Sequence, residues 1–419
     1  MIESCTDFVL QEIIENEHIT TYFQPIVSMK TGTIFAYEAL VRGVVPETDT
    51  LIQPAQLFER AEKETVSVEL DRLCQKKALE TFSTFKNKST ALMFMNINTA
   101  IISSSDTERP HINIMTNKMG FDPHYIGLEL IESRAQSVMD LINFVNHYRD
   151  SGFLIVIDDF GCEHSNLERL IQIHPDIIKI DRNIISGIAH DSYRQSILKS
   201  IHLLAEMTGS LCLAEGVETL EEIETCHLLG VDLFQGFAIA KPSPNLQKLE
   251  EKTLETIDEM RSYIHKSSLA SLRSKRRLTG DVKILADWLV KQINPDNFDS
   301  MKQVFQEFIA INPEIECIYL LDAQGTQLSE TIFSSFFSLK SLPCIFSPAK
   351  KGSNHSLKAY YICFEALGVQ QYLTDVYLSL ASGNLCRTFS VKMEHPEREY
   401  ILCIDFLEEA IRTASGEIS

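Results

Sequence analysis

No run of 18 apolar residues occurs in the 419-residue chain, and no basic stretch followed by an apolar core opens it. The expectation is therefore a cytoplasmic protein with no membrane-spanning helix and no signal peptide. Basic residues are in short supply: 38 Lys and Arg face 58 Asp and Glu, for a net charge of -20. That balance argues against general affinity for nucleic acid or for an anionic membrane surface. Neither a Gly-x-Gly-x-x-Gly stretch nor a Walker-type loop is present to cradle phosphate. The ten cysteines never form Cys-x-x-Cys, and most sit in apolar runs such as Leu211-Cys212-Leu213 and Leu402-Cys403-Ile404. Buried reduced thiols fit this usage better than disulfides or a zinc cluster.

What is present is a globular composition, 44% hydrophobic and 23% charged, on a chain long enough for two domains. From residue 20 to about 242, short apolar runs alternate with amphipathic stretches, as in repeated βα units. The runs are Thr21–Val27, Ile34–Tyr37, Ala91–Met95, Tyr125–Leu128, Phe153–Ile157, Ile177–Lys179, Leu211–Ala214 and Asp232–Phe234. A helix over Gln136–Ser151 is typical of the stretches between them, with Val138, Leu141, Ile142, Val145 and Tyr148 on one face.

The ends of the runs decide between a barrel and an open sheet. Nearly every run terminates in a polar residue: Glu38, Asn96, Glu129, Asp158 with Asp159, Lys179, Glu215 and Gln235. In a βα barrel the strand C-termini all point into one mouth, whereas an open sheet gathers its ligand groups at one switch point. The fold class expected is α/β: a modified TIM-type βα barrel, then a helical linker and a smaller α+β domain. After Lys241-Pro242-Ser243-Pro244 one helical stretch runs over roughly Leu246–Ser274. Its second half carries Arg261, Lys266, Arg273, Lys275, Arg276 and Arg277, read as a solvated linker face because no aromatic stacking residues accompany them. Helices over Ile284–Ile293 and Met301–Ile311 follow, then strands over Cys317–Asp322, Gln371–Leu380, Asn384–Lys392 and Tyr400–Phe406. The expected domains are residues 1–245, 246–285 and 286–419.

The barrel mouth carries the chemistry. Glu38, Asn96, Glu129, Asp158 and Asp159 would bring four carboxylates and an amide oxygen together. Packed like charges repel and raise each other's pKa, and hard divalent cations remove that problem. An all-oxygen donor set suits magnesium, manganese or calcium rather than zinc. The Asp158-Asp159 pair could serve two metals, an arrangement suited to phosphodiester hydrolysis. Lys179 could orient the attacking water or stabilise phosphorane charge, and Glu215 or Glu218 could accept a proton.

The segments Tyr22-Phe23-Gln24-Pro25-Ile26, Glu38-Ala39-Leu40-Val41-Arg42, Asn96, Glu129-Leu130-Ile131-Glu132-Ser133, Asp158-Asp159-Phe160-Gly161, Lys179-Ile180-Asp181, Ala214-Glu215-Gly216-Val217-Glu218-Thr219 and Gln235-Gly236 resemble the EAL-domain family in order and spacing. The resemblance covers about residues 8–245. It implies a modified barrel that cleaves cyclic di-GMP to linear pGpG with magnesium or manganese, two ions per site. By position it implies metal ligation by Glu38, Asn96, Glu129, Asp158 and Asp159. Lys179 would position water, and Glu215 would be the essential acid. Gln24, Leu40, Arg42 and Gln235 would hold the substrate, Arg42 on a phosphate. Glu132, Asp181 and Glu218 would support the ligands from behind, Glu132 by anchoring the loop after Asp159.

One departure stands out. Where the family continues Thr-Gly-Tyr-Ser-Ser-Leu after the paired aspartates, this chain has Cys162-Glu163-His164-Ser165-Asn166-Leu167. In the family that loop couples dimerisation to metal binding and turnover, so two readings stay open: an active phosphodiesterase, or a receptor that binds cyclic di-GMP and signals to a partner. Beyond the barrel, Lys358-Ala359-Tyr360-Tyr361, Leu373-Thr374-Asp375-Val376-Tyr377-Leu378-Ser379 and Arg387-Thr388-Phe389-Ser390 resemble the PAS-like, EAL-associated domain of the YkuI type. That resemblance implies either a regulatory module with an unknown small ligand or a dimerisation module. A homodimer is expected.

Overall fold

The computed structural model describes residues 8–46, 48–85, 91–102, 111–130, 137–161, 167–334, 346–396 and 398–408. They divide into two compact units, residues 1–266 and 267–419. None of their helices is long and apolar enough to cross a membrane.

The first unit is a closed barrel. Its strands are β1 (Ile19–Ser28), β2 (Thr33–Val45), β4 (Leu92–Ile97), β5 (Ile126–Leu130), β6 (Leu154–Phe160), β7 (Ile177–Ile180), β8 (Leu211–Ala214) and β9 (Leu233–Phe234), with the short β3 (Thr50–Ile52) outside the ring on β2. From β2 through β9 the ring is parallel, and β1 closes it antiparallel to both β2 and β9. That reversed strand is what makes the barrel a modified one. Each expected apolar run falls on a strand, and Leu211–Ala214 agrees to the residue.

Period-two alternation explains how the strands arm the mouth. Ile26, Ala36, Phe94, Val156, Ile177, Leu213 and Leu233 form one buried cluster inside the ring. Two residues further along the parallel strands come Glu38, Asn96, Asp158, Lys179, Glu215 and Gln235, so each functional side chain stands one layer above an apolar one. On β1 the offset reverses with the strand direction, and Gln24 precedes Ile26 by two. On β5 the residue below Glu129 is Gly127, and the Phe94 ring occupies its space: a Cβ there would lie 2.5 Å from that ring. A second, larger core fills the shell between strands and helices.

The second unit is an antiparallel sheet ordered β11 (Ile332–Phe333), β10 (Ile315–Asp322), β15 (Glu399–Leu407), β14 (Leu385–Glu394) and β12 (Gln371–Leu373), with β13 (Tyr377–Leu378) also on β14. Ile318, Leu320, Leu402 and Ile404 face one core with helix Phe298–Ile311 and the end of the long helix. Tyr319, Leu321, Ile401 and Cys403 face another core with helix Ala359–Leu367. A turn follows Asp322, with Gly325 at φ 78° and the Asp322 N–H donating to Thr326 O at 2.9 Å.

Two expectations need correction. Helix Leu246–Gln292 is continuous for 47 residues, so the stretch ending near Ser274 and the separate helix from Ile284 are one element. Gly280 sits inside it, costing about 1 kcal/mol against Ala without breaking it. The strand read over Gln371–Leu380 is split into β12 and β13, and Asp375 and Val376 between them are exposed.

Candidate active site

At the mouth, Lys179 is 1% exposed and surrounded by acids. Its Nζ lies 2.6 Å from Glu215 Oε1, 2.9 Å from Glu129 Oε1, 3.1 Å from Asp158 Oδ1 and 3.8 Å from Glu38 Oε2. Glu38 accepts from Asn96 Nδ2 at 3.0 Å on one oxygen and from Gln235 Nε2 at 2.6 Å on the other. The Gln24–Glu38 register of the β1–β2 pair brings Gln24 into the same corner, where its Oε1 is 3.4 Å from Gln235 Nε2. Gln24 is itself fixed by donating to Ala240 O at 3.1 Å.

Consecutive residues on a strand point to opposite faces, so Asp158 and Asp159 should not both reach the mouth. A bulge resolves this. Ile157 pairs with Ile178 and Phe160 with Ile180, leaving an extra residue on β6. Asp159 takes φ 54°, and its N–H donates to Asp158 Oδ1 at 3.0 Å. Holding a non-glycine residue there costs about 1–3 kcal/mol, the kind of strain that clusters at functional sites. As a result Asp158, Asp159 and Glu215 each offer an oxygen within 4.8 Å of the others.

Glycine serves the other side of the mouth. A Cβ on Gly236 would lie 2.1 Å from Val217 O and 2.3 Å from Val217 N. Only glycine therefore lets the Gln235 carbonyl take the Val217 N–H at 3.1 Å and hold Gln235 over Glu38.

The electrostatics are those of a site short of positive charge. Glu38, Glu129, Asp158 and Glu215 set four carboxylates around the ammonium of Lys179, and Asp159 adds another beside Asp158 and Glu215. Burial, then Glu38, pushes Glu129 well above the usual carboxylate range, although Lys179 opposes this. Burial likewise pushes Glu215 up to about 8. For Glu38 burial also favours the neutral form, but Lys179 and the hydrogen bonds from Gln235 and Asn96 prevail and hold it below its ordinary value. Burial works against the Lys179 charge too, and the four acids outweigh it and raise its pKa. Neither oxygen of the fully buried Glu129 accepts a well-aligned hydrogen bond, despite the approach of Lys179 Nζ. A buried carboxylate left in that state, within an all-oxygen set, fits a hard divalent cation.

Beside Glu38 a cavity of about 350 Å³ opens, lined among others by Leu40, Asn96, Asn98, Asp71 and Gln75. Asp71 and Gln75 escaped the sequence reading. They pair one helical turn apart, Gln75 Nε2 donating to Asp71 Oδ2 at 2.7 Å, on the buried face of helix Ser67–Ser83. Two polar residues on an apolar stripe were the available signal.

The remaining expected residues take mixed positions. Arg42 is half-buried on β2 and donates Nη1 to Val41 O at 2.7 Å. Asp181 caps the next helix by accepting the Asn183 N–H at 2.7 Å. Glu218 pairs with Arg182 at 2.7 Å, with both side chains about half exposed. Glu132 and the Cys162–Asn166 segment lie outside the described residues.

A family model described as the EAL domain matches residues 9–242. The chain belongs to the EAL-domain family. YkuI of Bacillus subtilis (strain 168), described as an uncharacterized EAL-domain containing protein, is 25% identical over 410 residues, 91% of this chain and 94% of its own. The crystal structure of YkuI in complex with substrate c-di-GMP and calcium aligns with a TM-score of 0.74 at 24% identity, over 97% of this chain and 98% of that one, and so shares its fold. The cyclic di-GMP phosphodiesterase PdeF of Escherichia coli (strain K12) is 31% identical over 244 residues, 58% of this chain. This chain covers only 32% of PdeF. The phosphodiesterase of MucR from Pseudomonas aeruginosa, solved as a c-di-GMP complex, aligns with a TM-score of 0.52 at 27% identity over 57% of this chain and 97% of that one.

Proposed function

We propose that the EAL barrel hydrolyses cyclic di-GMP to linear pGpG, using two divalent cations, magnesium or manganese, held by Glu38, Asn96, Glu129, Asp158 and Asp159. The observation that carries the proposal is the set of four carboxylates around Lys179, with Glu129 buried and poorly hydrogen-bonded. Relatives described as cyclic di-GMP phosphodiesterases support the choice of substrate. The bound cations would supply Lewis acidity toward water and charge neutralisation at the phosphate.

The chain's own residues do the rest. Lys179, locked by three contacts of 3.1 Å or less, presents a fixed positive charge beside the reacting phosphate. Glu215, 2.6 Å from Lys179 Nζ and beside Asp158 and Asp159, is placed to accept the proton of the attacking water. Arg42 and Gln24 hold phosphate and sugar at the rim, Leu40 packs against a base beside the cavity, and Gln235 keeps Glu38 in position. Asp181 caps the helix that follows the strand carrying Lys179, and Glu218 ties the loop carrying Glu215 to Arg182. The second unit acts as a regulatory PAS-like domain on a homodimer.

A second reading, a receptor that binds without turnover, is favoured by the Cys162–Asn166 replacement in the sequence. Incubating the protein with cyclic di-GMP and either cation, with chromatography of the products and calorimetry of binding, separates the two. Appearance of pGpG supports the enzyme. Tight binding without product leaves the receptor, and absence of both overturns the substrate assignment.

A further inference from the structure

The second unit contains a buried cluster that the barrel chemistry does not use. The sheet register sets Thr388, Asp405 and Cys317 in one row across β14, β15 and β10. Ordinary alternation would turn Glu316 to the opposite face from Cys317. The register shifts at Glu316, where Ile315 pairs with Phe406 and Cys317 with Asp405, so one residue is extra. The bulge brings the Glu316 side chain to Cys386, whose thiol donates to Glu316 Oε2 at 3.1 Å. On the neighbouring row the Cys317 thiol donates to Asp405 Oδ2 at 3.4 Å. Ligand atoms of Glu316, Cys317 and Asp405 lie within 4.8 Å of one another. None of the four residues is more than 3% exposed.

The two oxygens of each acid are used differently. One meets a thiol, and the other is held by neutral donors from outside the cluster. Asn384 Nδ2 donates to Glu316 Oε1 at 2.7 Å, and Thr388 Oγ1 donates to Asp405 Oδ1 at 2.8 Å. Tyr377 and Thr388 share a further hydrogen bond at 2.6 Å. Among the described residues neither acid is in a salt bridge with a lysine, arginine or histidine, in contrast to the lysine-centred barrel mouth. Outer hydrogen bonds that orient inner donors around a buried, uncompensated set are the usual surroundings of a bound metal.

We infer that Glu316, Cys317, Cys386 and Asp405 form a site for a thiophilic divalent cation such as zinc, tying together three strands of the C-terminal sheet. Two sulfurs and two oxygens suit tetrahedral zinc and disfavour magnesium. No Cys-x-x-Cys spacing announces the site, because its donors come from three strands brought together by register and a bulge. Binding displaces the thiol protons to solvent, and affinity rises with pH accordingly.

The test uses the full-length protein, stripped with chelator and then given excess magnesium to occupy oxygen-only sites. Cobalt(II) added as a probe should give a thiolate-to-cobalt charge-transfer band saturating at one equivalent. Cys317→Ser and Cys386→Ser should each weaken the band, the double variant should lose it, and Glu38→Ala should keep it. Thr388→Ala, which removes a support of Asp405, should weaken cobalt binding about tenfold or more. Should the serine variants fail to fold, X-ray absorption on the zinc-loaded wild type still decides: two sulfurs at about 2.3 Å and two oxygens at about 2.0–2.2 Å are expected. A purely oxygen and nitrogen shell, or no thiolate band in wild type, would overturn the site.

Discussion

The barrel mouth and the C-terminal sheet both gather carboxylates at a β-bulge, and they balance the charge in opposite ways. At the mouth the bulge at Asp158-Asp159 turns adjacent acids toward one another, and Lys179 absorbs part of the repulsion. In the sheet the bulge at Glu316 gathers two acids and two thiols with no basic partner among the described residues, and burial pushes Asp405 up to about 7. A bulge is a means of collecting like charges, and the donor types decide which cation can complete the set. Oxygen donors with a lysine suit magnesium or manganese, and mixed sulfur and oxygen suit zinc.

The largest effect expected is on turnover. Glu38→Ala removes an acid that Asn96, Gln235 and Lys179 all address, and pGpG formation should fall by roughly 10³-fold or more, the scale for losing a group that acts on developing charge. Retained activity would separate the mouth from the chemistry. Next, Lys179→Met leaves buried acids without their cation, so denaturant unfolding of the metal-free protein should show a loss of about 3–5 kcal/mol. Manganese should restore part of that loss at the mouth and nothing at the sheet. Gly236→Ala drives a methyl group into the Val217 backbone and should cost about 1–3 kcal/mol, with a lowered kcat/KM as Gln235 shifts off Glu38.

A further set of effects concerns pH. Asp405 is raised from 3.8 to about 7 and Glu215 from 4.5 to about 8. Between those bounds the folded state binds more protons than the unfolded one, so stability of the chelated protein falls as pH rises from about 4 to 8. Asp405→Asn should flatten the part of that slope below pH 7 and change stability little at pH 5. Glu215→Gln should flatten the part extending toward pH 8. A slope unchanged by either variant would place the titrating groups elsewhere.

Much of this architecture was legible in the sequence, for identifiable reasons. Each barrel strand is a short apolar run ending in one polar residue, so Glu38, Asn96, Glu129, Asp158, Lys179, Glu215 and Gln235 could be seen to share a mouth before any coordinates. Closure through an antiparallel β1 was hidden, because pairing direction leaves no mark on an apolar run such as Thr21–Val27. The positive φ of Asp159 was hidden too, since no glycine signals it. Asp71 and Gln75 reach the cavity from a helix, where a pattern read from strand ends does not look. In the second unit the bulge at Glu316 and the row Thr388–Asp405–Cys317 depend on pairing β15 with β10, a strand far from it in the chain.

The most direct test of the central claim is a manganese titration of chelator-stripped protein, reading bound metal and single-turnover pGpG formation from cyclic di-GMP together. The account expects no product without metal and product rising with occupancy of two ions at the mouth, both lost in Glu38→Ala. Product formed by the stripped protein, or none at full occupancy, would contradict it.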